Sequence, residues 1–243
     1  MSIRNLTTSV ALCLAVPFAA YADGVSDERI KELALEAILE NPQIVMEAVA
    51  ILEKQRLEDE SLAVADVLTS QRALLEQDPN APVLGNRDGD VTVVEFFDYN
   101  CPYCRSAMGE VQAMLKKDQN VRLVYREWPI LGEGSVFASK AALAARNQGK
   151  YEEFHWALMG MKGRADEKSV LAIAKDIGLD VDVLRQDMDS PEVAEHIASS
   201  MSLSQTLGFN GTPSFVIGNQ LVPGFVEQAQ LSEYVDAVRE GQE

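Results

Sequence analysis

Cysteine is scarce in this chain. There are three in 243 residues, and one of them, Cys13, lies in an N-terminal stretch unlike the rest. Histidine is scarcer, with two. Basic residues are outnumbered, 21 lysines and arginines against 38 acids, for a formal charge of −17. Each shortage excludes something. So acidic a surface argues against nucleic acid and anionic lipid as partners, because both need clustered positive charge. Two histidines and a single close cysteine pair leave no four-ligand zinc set of the usual spacing. No apolar run reaches the length of about 20 residues that spans a bilayer. Internal repeats and low-complexity tracts are also lacking.

The first 22 residues read as a secretory signal peptide. Arg4 is their only charge, an apolar run extends from Leu6 through Leu14 to Ala20, and Ala20-Tyr21-Ala22 has the small-residue pattern of a cleavage site. Cleavage after Ala22 would remove Cys13 and leave Cys101 and Cys104 alone. A disulfide between residues three apart closes a very short loop and adds little stability. An exported chain whose two cysteines stand so close is better explained by chemistry than by stapling.

Residues 23–78 are expected to form an N-terminal helical region. Ser26 or Asp27 can cap a first helix with Ile30, Leu33, Ala34, Ala37 and Ile38 on one face. Asn41-Pro42 stops it and starts another. Residues 53–61 carry one apolar residue in nine and read as a solvated helix or a linker. Two short amphipathic helices cannot bury their apolar faces alone. They dock within the chain, or they form a stalk that makes an oligomer.

A second domain is expected over 79–243, after the turn-rich Asp78-Pro79-Asn80-Ala81-Pro82. Val91 to Phe97 reads as a buried strand, Ser106 to Leu115 as a helix and Val121 to Tyr125 as a second strand, together a βαβ unit. A helical block follows at about 135–207. Ser214–Ile217 and Gln220–Pro223 flank Gly218-Asn219, a hairpin signal, and Val226 to Arg239 closes the chain as a helix. The class is α/β: a small mixed sheet with helices inserted between its halves.

The chemistry-bearing group is Cys101-Pro102-Tyr103-Cys104, between the first strand and its helix. A cysteine at a helix N-terminus faces free N–H groups and the positive end of the dipole, which favour the thiolate. Pro102 suits the first turn. The spacing places Cys104 one turn on and within disulfide reach. Cys101 would form a mixed disulfide with a substrate, and Cys104 would resolve it. A two-coordinate copper(I) site on the same pair stays open, since thiolates select soft ions. His155 reads as helix surface or packing, and His196 as a solvated helix face.

Glu95 sits in an apolar strand. It is either a buried acid with a raised pKa, able to exchange a proton with Cys104, or an edge residue reaching water. Pro213, just before a strand, marks either a cis peptide or an ordinary turn; such a loop can offer the Thr212 backbone to an extended substrate chain.

Glu95-Phe96-Phe97, Cys101-Pro102-Tyr103-Cys104 and Gly211-Thr212-Pro213 together resemble the DsbA-like branch of the thioredoxin superfamily. Asn41-Pro42 and Tyr125-Arg126-Glu127-Trp128-Pro129-Ile130-Leu131-Gly132 are similar to the suppressor of copper sensitivity protein C group within it. The resemblance implies a thioredoxin fold with a helical insertion, a cis bond before Pro213, Cys101 as nucleophile, Cys104 as resolving thiol and Glu95 as buried acid. It also implies substrate contacts at Pro102, Tyr103, Thr212 and Pro213. N-terminal helices that assemble trimers or dimers, and a membrane-bound partner that keeps the pair reduced, follow from the same likeness. No cofactor is implied beyond the redox-active pair itself. Thr212 before the proline is similar to the isomerase and reductase members, and Pro-Tyr departs from the Pro-His of the strong oxidase. The expected function is an exported, periplasmic disulfide isomerase or reductase, with a dithiol oxidase or a copper(I)-binding module as alternatives.

Overall fold

The structure, a computed structural model, describes residues 26–241; the signal peptide expected at 1–22 lies outside them. The chain divides into two compact units between Leu57 and Glu58.

In the first unit, α1 (Asp27–Glu40) begins where the Ser26 side chain accepts a hydrogen bond from the Arg29 N–H. It ends at Asn41-Pro42, and α2 (Gln43–Gln77) starts directly after. Both helices expose apolar residues, among them Leu35, Leu39, Met46, Ile51 and Leu52. The polar stretch 53–61 is helical and continuous with the rest of α2.

The second unit begins earlier than the sequence suggests. Leu68 and Leu75 of α2 are fully buried with Val94, Phe96, Val124 and Phe209. The turn at 78–82 therefore lies inside this unit. The reason is physical: the last five turns of α2 carry apolar residues that cover one face of a sheet.

That sheet has five strands in the order β1-β3-β2-β4-β5. β2 (Val91–Phe97) and β3 (Val121–Glu127) are parallel; β4 (Ser214–Ile217) runs antiparallel to β2, and β5 (Gln220–Pro223) to β4. The short β1 (Val83–Gly85) pairs antiparallel with β3. Three residues are too few to show an alternation pattern, so β1 has no sequence signature. Its Gly85 is required, because φ is +68° and a Cβ would stand 2.7 Å from the Val121 carbonyl oxygen.

β2 is central, and both of its faces are covered. Val94 and Phe96 face the α2 side, where Phe96 meets Trp128 and Phe209 edge-on. Val91, Val93 and Phe97 face the larger core, which takes in α3 (Pro102–Lys117), α9 (Gln228–Arg239) and part of the inserted helices. The insertion comprises α4 (Glu133–Ala144), a 3₁₀ turn (Ala145–Gln148), α5 (Tyr151–Met159), α6 (Glu167–Asp176), α7 (Val181–Asp187) and α8 (Pro191–Thr206). The seven-residue α7, absent from the sequence reading, is capped by Asp180.

α6 starts at a capping box. Asp166 accepts from the Ser169 N–H at 2.8 Å, and the Asp166 N–H donates to Ser169 Oγ at 3.0 Å. Asp166→Ala is expected to cost about 1 kcal/mol. A thermal melt should show it as a fall in Tm of about 2–4 °C.

His196 is not on a solvated face. α8 packs on β3, and His196 is 1% exposed. Its Nε2 lies 2.7 Å from Glu127 Oε2, and its Nδ1 3.4 Å from Asp78 Oδ2. Arg126, also fully buried, meets the same Asp78 oxygen at 2.6 Å. The polar end of β3 is tolerated inside because Arg126 pairs with Asp78 and His196 stands against Glu127, although Arg126 Nε, Glu127 Oε2 and His196 Nδ1 are buried without a hydrogen-bond partner.

Candidate active site

The loop 98–100 carries the chain from the end of β2 to the start of α3. Cys101 is the residue before the helix, with extended backbone, and Pro102 is the first helical position. The Asp98 carbonyl accepts the Cys101 N–H at 3.0 Å, and the Cys101 carbonyl accepts the first helical bond from the Arg105 N–H. Cys104 lies one turn on. Both cysteines are free thiols. Cys104 is fully buried, Cys101 is 5% exposed, and Pro102 and Tyr103 between them are exposed.

Gly211-Thr212-Pro213 lies opposite. The Thr212–Pro213 bond is cis, and the Cys101 thiol donates to the Thr212 carbonyl at 3.1 Å. The proline loop thus stands directly against the outer sulfur, with Thr212 half-buried beside it. Pro213 is buried, and its carbonyl accepts from the Gly224 N–H, which anchors the loop to the end of β5.

The two sulfurs are electrostatically unlike. The Cys101 thiol is drawn down to about 6, first by the hydrogen bond from Cys104. Burial opposes this, while the Thr212 side chain and the N–H groups of Cys104 and Tyr103 reinforce it. The Cys104 thiol is pushed strongly up, by burial, by its hydrogen bond to Cys101 and by the charges of Glu95 and Cys101. One sulfur is ready to ionise and the other is held protonated.

Glu95 is 2% exposed on the central strand, so it is not an edge residue. Burial and then the Cys101 charge push its carboxyl up to about 8, against the hydrogen bond of Tyr125. His155 is also buried, ringed by Phe97, Tyr99, Tyr125 and Tyr151. Its Nδ1 pairs with the Tyr99 hydroxyl at 3.1 Å, and burial pulls its pKa down to about 3. It is a neutral packing residue of the core. Among the described residues no group of three or more His, Cys, Asp or Glu side chains could hold a metal ion.

The structure brings all seven sequence-derived site positions together around the sulfur pair: Glu95 on β2, Cys101 to Cys104 at the start of α3, and Thr212 and Pro213 on the loop before β4. Sequence reasoning missed Asp98 and Asn100, both buried beside Cys101. Asx residues ahead of a helix start are turn formers, so their types carried a local signal. Their partners at 130–135 and 165 had none.

A cysteine pair at a helix start, facing a cis-proline loop across a mixed sheet of this order, defines a thioredoxin-fold thiol–disulfide oxidoreductase. Sequence and structure comparison narrows the class. Residues 92–236 match the DSBA-like thioredoxin domain, and the chain belongs to that family. It is 69% identical to a thioredoxin-like oxidoreductase from Silicibacter pomeroyi DSS-3, with a TM-score of 0.69, covering 70% of this chain and 98% of that one. It is 28% identical to Proteus mirabilis ScsC in a transitional conformation, with a TM-score of 0.64, over 90% of this chain and 96% of that one. It is also 31% identical, over 161 residues and 65% of this chain, to the Na(+)/H(+) antiporter NhaA 1 of Salinispora arenicola, but spans only 25% of that protein. The described residues contain no helix long and apolar enough to cross a membrane.

Proposed function

We propose that this protein is an exported disulfide isomerase or reductase acting on periplasmic client proteins. The observation that carries the reading is the division of labour between the sulfurs: Cys101 is the ionisable one, seated against Thr212, and Cys104 is sealed behind it.

The Cys101 thiolate attacks one sulfur of a client disulfide. That bond breaks, the other client sulfur leaves as a thiolate, and Cys101 and the client share a mixed disulfide. In isomerisation the released thiolate attacks a different client bond, and a client thiolate finally displaces Cys101 with no net electron transfer. In reduction, Cys104 gives up its proton and attacks Cys101; the client leaves with two electrons and the protein holds Cys101–Cys104. Glu95, titrating near 8, accepts the Cys104 proton and returns it in the reverse step. The extended client chain lies along the Thr212–Pro213 edge, with Pro102 and Tyr103 against its other side. No cofactor is needed beyond the cysteine pair, and a membrane-bound redox partner restores the dithiol.

Two features favour isomerisation over plain oxidation: the Pro-Tyr dipeptide supplies no imidazolium to hold Cys101 as thiolate, and threonine precedes the cis-proline. The leader expected at 1–22 and the periplasmic origin named for one similar structure, from Salmonella enterica, support export. The exposed apolar residues of α1 and of α2 up to Leu57 support self-association of the first unit into a dimer or trimer. Several sites on one oligomer would raise the effective concentration at a misfolded client.

Scrambled ribonuclease tests the reading. The chain should restore ribonuclease activity and reduce insulin, and Cys101→Ser should do neither. Rapid oxidation of reduced ribonuclease without rescue of the scrambled form would establish an oxidase instead.

A further inference from the structure

Glu95 is not alone inside the sheet. β2 and β3 run parallel in a register that sets Tyr125 directly beside it, on the same face. On the other side the register of β4 sets Phe215, which offers a carboxylate nothing polar. All three are buried, and Tyr125 is 1% exposed. The Tyr125 hydroxyl hydrogen-bonds the Glu95 carboxyl. Exchange by two sulfurs and one acid leaves this phenol without a role.

Three buried tyrosines meet around His155, and each hydroxyl has its own partner. Tyr99 pairs with His155 Nδ1 at 3.1 Å. Tyr151 donates to Glu127 Oε1 at 2.6 Å. Tyr125 serves Glu95. Its ring is met edge-on by Phe97 and Trp156, at centroid distances of 5.1 and 6.1 Å, and by the tilted His155 ring at 4.3 Å. A phenol enclosed on three sides has its hydroxyl aimed before any reaction starts.

The charges that reach this pair are few. α3 brings the two cysteines, with Cys101 acting on Glu95 and Cys104 on Tyr125; the loop 98–100 brings Tyr99 and β3 brings Glu127. α5 brings Tyr151, whose hydroxyl Glu127 holds, and His155, which burial keeps neutral. Burial first, then Glu95, Tyr99, Glu127 and Cys104, push the Tyr125 hydroxyl far up. It therefore stays a donor throughout the range in which Glu95 titrates. A donor favours the charged carboxylate over the neutral acid, and the low dielectric of a core strengthens the preference.

We propose that Tyr125 is a positioning residue for the proton transfer between Cys104 and Glu95, holding the carboxylate as an anion aimed at the inner sulfur. In the resolving step the Cys104 proton passes to Glu95 and the Cys104 sulfur bonds to Cys101. The client leaves with the electron pair of the broken mixed disulfide. Tyr125 exchanges no atom and keeps its own proton. The inference rests on the thiol–disulfide exchange reading above.

Tyr125→Phe tests it, because it removes one oxygen and keeps the ring among Phe97, His155 and Trp156. The probe is a short peptide with one cysteine disulfide-bonded to glutathione, reduced by the protein in a single turnover and followed by rapid quench. The pH midpoint of the resolving step should rise by about one unit in the variant. Below that midpoint its rate should fall about three- to tenfold, since the stronger base that remains offsets part of the loss. The first attack by Cys101 should change by less than about twofold. A second variant separates this role from a structural one: Tyr125→Phe added to Glu95→Gln should slow the resolving step no further than Glu95→Gln alone. An unmoved midpoint in Tyr125→Phe, or a double variant slower than Glu95→Gln, overturns the proposal. A native chain that forms no mixed disulfide with the peptide would instead sink the exchange reading on which the proposal stands.

Discussion

Cys101→Ser is expected to remove disulfide exchange, lowering kcat/KM by about 10³-fold or more, because a serine hydroxyl does not ionise near neutral pH and nothing else at the site can replace it. Cys104 cannot substitute: it is fully buried and its thiol is held far up. The partner variant should behave differently. Cys104→Ser keeps the attacking sulfur and removes the resolving one, so mixed disulfides with clients should accumulate as covalent adducts on a non-reducing gel. The contrast decides the assignment of roles. Adducts formed by Cys101→Ser rather than by Cys104→Ser would reverse it. The free thiol of Cys101→Ser should also titrate well above that of the native Cys101, because burial governs Cys104 and no thiolate stands beside it to be stabilised.

Glu95→Gln should slow the step in which Cys104 displaces the client by about 10²-fold, the usual size of a lost proton acceptor. The first attack by Cys101 should be far less affected, so rapid-quench kinetics would show the mixed disulfide building up. The same substitution has a stability signature of definite sign. Burial raises the Glu95 carboxyl from 4.5 to about 8 in the folded protein. A group raised in this way favours folding below its unfolded value and loses that contribution as pH climbs through the folded one. The native chain should therefore weaken relative to Glu95→Gln between about pH 4.5 and pH 8, with the gap constant above. The advantage of the glutamine at pH 8 should be on the order of a few kcal/mol, in the reduced protein. In the oxidised protein the Cys101 charge is gone, so the carboxyl should titrate lower and the gap should shrink. Denaturant melts at pH 5 and pH 8 in both redox states would measure this, and an equal gap at the two pH values would contradict it.

Much of the site is legible in the amino-acid sequence because its signals are local. The run Val91 to Phe97 announces a strand, Cys101-Pro102 announces a helix start, and their adjacency places a sulfur at a helix N-terminus. Glu95 stands out because an apolar strand has no other use for a carboxylate. Pro213 stands out because a proline does not suit the entry to a strand ladder. What stays hidden depends on contacts distant in sequence. His196 follows Glu195 on its own helix and looks solvated, yet Glu127 and Asp78 cover it from β3 and from the turn after α2. Asp98 looks like an ordinary turn former, and only the folded chain shows it reaching Ile130, Leu131 and Ser135. β1 is three residues of an otherwise turn-rich stretch, and its strand identity comes entirely from its partner β3. The division between the units is hidden for a related reason. Leu68 and Leu75 continue a helical period that gives no hint of which surface it will cover.

The central claim is that Cys101 is ionised near neutral pH while Cys104 is not. Thiolate ultraviolet absorbance of the reduced chain, followed against pH with Cys104→Ser as a control, tests it directly. A single thiol with a midpoint of about 6 in the native chain is expected. A midpoint no lower than the value of about 8.5 for free cysteine, or two thiols ionising together, would contradict the account.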